Sequence, residues 1–220
     1  DVYKRQRLYV FNNLSILMLS KQFYNFFDLG SFMSTPSSPV DFPCEQIVSL
    51  RWISPAVAYS DGRFLAVGHD IISLLKEAAV CSPRKRSRLC FHAGPESAQQ
   101  EMLIVMHRDS YVQPHRHIGR VETLMVVEGE ADALIFGETG ILNKEITMQS
   151  PGLRGHFFYR IPERIFHTIR FRSEWFVFVE TTIGPFHIDS SERASWAPPE
   201  SEPGAGREFL LGLRKCAVMK

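Results

Sequence analysis

The chain has 220 residues, enough for one domain with extensions and for a core that folds without covalent staples. Hydrophobic residues make up 45% and charged residues 22%, the balance of a globular protein. A formal net charge of +1 supplies no field for nucleic acid or an anionic membrane surface, so both are set aside as partners.

Residues 1–32 differ in character from the rest of the chain. Tyr3-Lys4-Arg5-Gln6-Arg7 precedes an apolar patch, Leu8 to Leu19, that is interrupted by Asn12 and Asn13. The patch is shorter than the roughly 20 apolar residues a membrane span requires. Basic residues before a short apolar run resemble a signal peptide, but no small-x-small cleavage site comes after them, since Lys21 to Asp28 is aromatic and polar. Met33 with Ser34-Thr35-Pro36-Ser37-Ser38-Pro39 reads as the native start, so 1–32 is taken as a non-native or disordered leader. Residues 33–46 are expected to be flexible. The four cysteines, Cys44, Cys81, Cys90 and Cys216, show no C-x-x-C spacing, which points to reduced thiols and a cytoplasmic protein.

Residues 47–92 read as N-terminal strands and a helix that pack on a barrel formed by the next hundred residues. Ile47-Val48, Val57-Ala58-Tyr59 and Phe64-Leu65-Ala66-Val67 are short apolar runs, and Asp61-Gly62 is a hairpin signal. Ile71, Ile72, Leu74, Leu75, Ala78 and Ala79 keep a helical period, which predicts a helix over 69–79 ended by Pro83. The basic run Arg84 to Arg88 has no aromatic partners for stacking and reads as a solvated face. If it enters a strand, Arg88, Cys90 and His92 share one face.

Residues 93–188 read as a barrel of short strands. They are predicted at Met102–Arg108, Tyr111–His117, Glu122–Glu128, Ala131–Phe136, Lys144–Met148, Phe157–Ile161, Phe166–Phe171 and Phe176–Thr182, with turn residues between them. Phe166, Phe171, Trp175, Phe176 and Phe178 are assigned to the core. Residues 189–220, rich in Ser, Pro, Glu and Gly, are taken as an extended tail over the surface, with a short helix near Arg207–Leu213.

The informative segment is His115 to Gly129, with the skeleton H-x-H-x4-E-x6-G. Alternation in a strand points His115 and His117 the same way and Arg116 away. A turn around Gly119 returns the chain and sets Glu122 beside the histidines, and Gly129 closes the strand. Further on, Pro162 turns the chain into a strand that carries His167 early. Three imidazoles and one carboxylate suit one divalent transition metal: iron, manganese, zinc, nickel or copper. Tyr111 and Gln113 share the histidine parity, and Arg88, His92 and Glu180 are further candidates for the ligand-facing wall or the surroundings of the metal. Each also has a plain structural reading, as an edge pair or a partnered surface group.

Both segments resemble the two motifs of the cupin superfamily, and more closely the WbuC-type cupin-fold metalloproteins. The resemblance runs from Ser54 to Glu200. It rests on the helix leading into Ser82-Pro83 and Arg88 to His92, then Ser110 to His117, Glu122 to Gly129 and Ile161-Pro162 to His167-Thr168. Glu180, Gly184-Pro185-Phe186 and Trp196-Ala197-Pro198-Pro199-Glu200 complete it. It implies a mainly β fold, a double-stranded β-helix (jelly-roll) with the metal in its mouth, and a homodimer. It also implies a small-molecule ligand, a sugar or nucleotide sugar linked to polysaccharide or O-antigen biosynthesis. The reaction is left open between a metal-dependent isomerase or epimerase, an oxygenase, and a non-catalytic binding or sensing module. The chain departs from the family at Asp109 and Arg164, where glycine is usual, and at Cys90 and Phe171, where asparagine is usual.

Overall fold

The structure, a computed structural model, describes residues 50–60 and 65–213, all within one compact unit, Pro43–Lys220. The expected leader over 1–32, the expectation for residues 33–46, the Asp61-Gly62 hairpin signal, Cys44 and Cys216 lie outside the described residues.

Strands β1 (Leu50–Ser54) and β2 (Val57–Ser60) form a hairpin, followed by helix α1 (His69–Cys81) and strand β3 (Arg86–Cys90). The helix extends two residues past the expected end, because the Ser82 N–H still reaches the carbonyls of Ala78 and Ala79 before Pro83. Eight strands come next: β4 (Gln99–His107), β5 (His115–His117), β6 (Glu122–Glu128), β7 (Glu130–Phe136), β8 (Leu142–Gln149), β9 (Phe158–Ile161), β10 (Phe166–Phe171) and β11 (Trp175–Ile183). The predicted strands match these within a few residues, except that β5 starts late. Pro114 and the residues before it stay out of the ladder, since proline has no N–H to donate.

The eight strands divide into two antiparallel sheets, β4-β11-β6-β9 and β5-β10-β7-β8. Taken in order, strands one, eight, three and six face strands two, seven, four and five. This is the jelly-roll arrangement of two interlocked Greek keys, and the fold is the double-stranded β-helix expected. β3, β2 and β1 extend the first sheet to seven strands, with β2 parallel to β3. Strand β12 (Ser191–Arg193) extends the second sheet to five by pairing with β5. Helix α2 (Pro203–Gly212) closes the described chain.

The alternation of side chains in the strands builds three apolar clusters. Between the sheets lie Met102, Ile104, Met106, Leu124, Val126, Ala131, Ala133, Met148, Phe176 and Phe178. Behind the first sheet, Ile72, Leu75 and Ala79 of α1 cover Leu89, Leu103, Val105 and Val177. β4 is thus apolar on both faces because both are covered. Behind the second sheet, Leu134, Phe136, Leu142 and Phe166 pack on Tyr111, Ala194, Ala197 and Leu210. Of the aromatic residues expected in the core, Phe176 and Phe178 sit between the sheets. Phe166 faces the opposite way, toward Trp196, and Trp175 lies against the α1 cluster. The segment after residue 188, expected as an extended surface tail, docks instead. Its Ala194, Ala197 and Leu210 complete the third cluster, and leaving them in water would forfeit about 25 cal/mol per Å² of apolar area. No described helix is long and apolar enough to cross a membrane.

Candidate metal centre

His115 and His117 on β5, Glu122 on β6 and His167 on β10 face the interior at one end of the barrel. Antiparallel pairing sets His167 directly opposite His115, and Gly119, at φ +73°, turns the chain from β5 to β6. One donor atom from each of the four residues lies within 4.8 Å of the others. Arg116 points away, as alternation requires, and its guanidinium stacks 4.4 Å from the Phe166 ring centre.

The two motif turns clasp each other. The Arg164 N–H donates to the His117 carbonyl at 2.8 Å, and the Glu163 carboxylate accepts the Gly119 N–H at 2.8 Å. Arg164 occupies a left-handed conformation, φ +65°. The turn therefore carries the steric cost of an L side chain in that region.

Each imidazole is anchored through Nδ1. His115 Nδ1 lies 3.0 Å from the Gln113 carbonyl, His167 Nδ1 lies 2.9 Å from the Ile165 carbonyl, and His117 Nδ1 lies 3.1 Å from the Ser191 hydroxyl. A carbonyl only accepts, so His115 and His167 carry their proton on Nδ1 and turn an unprotonated Nε2 inward. His167 Nε2 is buried without a hydrogen-bond partner. His117 Nε2 lies 2.8 Å from Glu122 Oε2, and the other Glu122 oxygen accepts the Tyr159 hydroxyl at 2.9 Å. An orphaned, buried lone pair beside two more imidazoles and a carboxylate fits a divalent transition metal.

Electrostatics agree with that fit. Burial, with the neighbouring His167, pushes His115 down to about 3, so it stays neutral and able to ligate. Burial alone would raise Glu122, but His167 and His117 overcome it and hold the carboxylate well below its usual range. Burial likewise opposes charge on His167, and Glu122 reverses this and raises it.

His115, His117 and Glu122 open into a cavity of about 410 Å³. Arg88 and Glu180, both expected near the ligand, line its wall. Burial, then the nearby Glu122, raises the Glu180 carboxyl to about 8, partly offset by Arg88, Arg120 and Arg86. Three other expectations land differently. Tyr111 lies in the loop before β5, where strand parity does not apply. It packs in the third cluster and donates its hydroxyl to the Pro198 carbonyl at 2.8 Å. The Gln113 side chain donates to the Ala194 carbonyl at 2.9 Å, so only its backbone serves the centre. His92 lies just past the end of β3 and holds the Glu101 backbone at 3.0 Å, edge-on to Tyr59, away from the cavity lining.

The sequence reading missed Ser191, Arg120, Tyr159 and Arg193. Arg120 is almost fully buried and donates to the Ser191 hydroxyl at 3.0 Å, bracing the group that holds His117. Tyr159 showed a signal, being an aromatic residue on the buried parity of its strand. Ser191 and Arg193 showed none, because β12 has no apolar alternation.

Residues 67–148 match a family described as a domain of unknown function, DUF6016. No curated protein matches the chain. Among solved structures, it is similar to KdgF from Halomonas sp. at 15% identity, over 49% of this chain and 86% of that one, with a TM-score of 0.38. It is similar to a sugar phosphate isomerase of the cupin superfamily from Silicibacter pomeroyi at 20% identity, over 45% and 59%, with a TM-score of 0.37. It is also similar to procruciferin, an 11S globulin from Brassica napus, at 17% identity over 40% of this chain, with a TM-score of 0.34. It spans only 21% of the procruciferin chain.

Proposed function

We propose that the chain is a metalloprotein that holds one divalent transition metal through His115, His117, Glu122 and His167 and handles a small, sugar-like metabolite in the adjoining cavity. The observation that carries this reading is the convergence of three imidazole Nε2 positions, each anchored from behind through Nδ1, on one buried carboxylate. The bound ion would supply Lewis acidity toward a ligand oxygen or, were it iron, redox chemistry. The WbuC-type assignment, the link to polysaccharide biosynthesis and the cytoplasmic setting come from the resemblance and the cysteine pattern. The free thiols of Cys81 and Cys90 accord with that setting.

Glu180 favours a proton-transferring role, of isomerase or epimerase type, over simple binding. A carboxyl group in the wall of that cavity, beside the proposed metal position, is placed to exchange a proton with a bound ligand. The test is elemental analysis of purified wild type beside H115A, H117A and H167A. About one transition-metal ion per chain in the wild type, lost from the variants, is expected. Stoichiometric metal in all three variants would overturn the assignment.

A further inference from the structure

The cavity beside the metal centre carries more cation than its carboxylates balance. Arg84, Arg86, Arg88 and Arg193 line it. Three of them converge on one carboxylate: Glu200 lies 3.2 Å from Arg84, 3.0 Å from Arg86 and 3.1 Å from Arg193. A single carboxylate neutralises one of those three charges. Arg88 is not part of that network. Its Nε is buried without a hydrogen-bond partner, and the Cys90 thiol lies beside its guanidinium.

The opposing acids do not make up the difference. Glu122 is committed to the histidines and, on the proposed function, to the metal. Glu180 faces the same space, and even with it counted the lining sets three carboxylates against four guanidinium groups. A divalent ion would add further positive charge. Arg88, its Nε buried and unpartnered, is costly to leave without a counter-charge, and the guanidinium groups present fixed forks that match planar or tetrahedral oxyanions.

We infer that the ligand of this cavity is anionic, a small hydroxylated molecule bearing a phosphate or carboxylate group that Arg84, Arg86 and Arg193 grip and Arg88 supports. The inference rests on the proposed function for the molecule's hydroxylated part, whereas the anion grip stands on the arginines alone. Glu200 gathers the three guanidinium groups and partly occupies their donors until the ligand arrives. Arg84 and Arg193 stand at the exposed rim, with side chains 64% and 48% exposed, so changing them leaves the core intact.

The experiment is calorimetric titration of the full chain, with and without bound metal, using glucose 1-phosphate, glucuronate and uncharged glucose. Wild type, R84Q and R193Q are compared after their melting temperatures show all three folded. One charged probe is expected to bind measurably tighter than glucose, and its identity separates phosphate from carboxylate. Each substitution should weaken it by about tenfold. Equal binding of charged and uncharged probes, or charged binding unchanged in both variants, would overturn the inference. If wild type holds no metal yet shows arginine-dependent anion binding, the metal reading fails and this one stands. Stoichiometric metal without charge selectivity would do the reverse.

Discussion

The hydroxyl of Ser191, on a strand added after the barrel is complete, lies 3.1 Å from Nδ1 of His117. Arg120 donates to the same hydroxyl at 3.0 Å, so the serine oxygen is fixed from one side while it orients the imidazole from the other. Removing the hydroxyl leaves a buried arginine short of an acceptor and frees the His117 ring to rotate. Ser191→Ala should therefore weaken metal affinity by about 10- to 100-fold while the stoichiometry at saturating metal stays near one. Competition with a chromophoric chelator measures this, and an unchanged dissociation constant would remove Ser191 from the site.

Metal-free protein should lose stability as pH rises, through Glu180. Its folded-state carboxyl titrates near 8, above the usual 4.5, because burial penalises the ionised form. Between these values the unfolded chain has released the proton and the folded chain keeps it. Rising pH therefore favours unfolding across that window, and the cost is complete above about 8. Glu180→Gln removes the group, so the melting temperature of the variant should exceed wild type by a margin that grows from pH 5 to pH 8. Thermal denaturation in the presence of a chelator reads this directly, and a margin independent of pH would mean that Glu180 ionises normally.

Arg164 holds the second motif turn in a left-handed conformation that glycine adopts without strain. Arg164→Gly should relieve about 1–2 kcal/mol of steric cost and lose about 0.5–1 kcal/mol to the greater freedom of the unfolded chain. The net gain is on the order of 0.5–1 kcal/mol, or about 1–4 °C in melting temperature for a domain of this size. A lower melting temperature would show that the Arg164 side chain makes a contribution larger than the strain.

The barrel was legible because its strands alternate. β6 reads Glu122, Leu124 and Val126 inward against Met125 and Val127 outward, and the structure keeps that parity. The H-x-H parity of β5 and the position of His167 early in β10 were legible for the same reason. Tyr111 and Gln113 were misread because parity was carried backward across Pro114 into residues that form no ladder. The C-terminal segment was illegible from pattern alone. Its Ser191, Arg193 and Glu200 are polar residues in a Pro- and Ser-rich stretch, and their roles arise only from docking against β5 and β3. The arginine run at 84–88 looked like a solvated face, yet alternation turns Arg86 and Arg88 inward once the run becomes β3.

Docking of that segment can be tested at Gly206, in α2. The glycine is buried against the Tyr111 ring, and a Cβ built there would overlap the ring carbons. Alanine favours a helix over glycine by about 1 kcal/mol, so an undocked helix would be stabilised by Gly206→Ala. In the docked arrangement, overpacking costs about 1–3 kcal/mol and must displace either α2 or Tyr111. Tyr111 is tied to the Pro198 carbonyl, and the same segment carries Glu200 to the arginines and Ser191 to His117. Gly206→Ala should accordingly lower the melting temperature and expose the segment beyond residue 195 to limited proteolysis. A variant as stable and as protease-resistant as wild type would place α2 away from Tyr111 and sever the tail from the site.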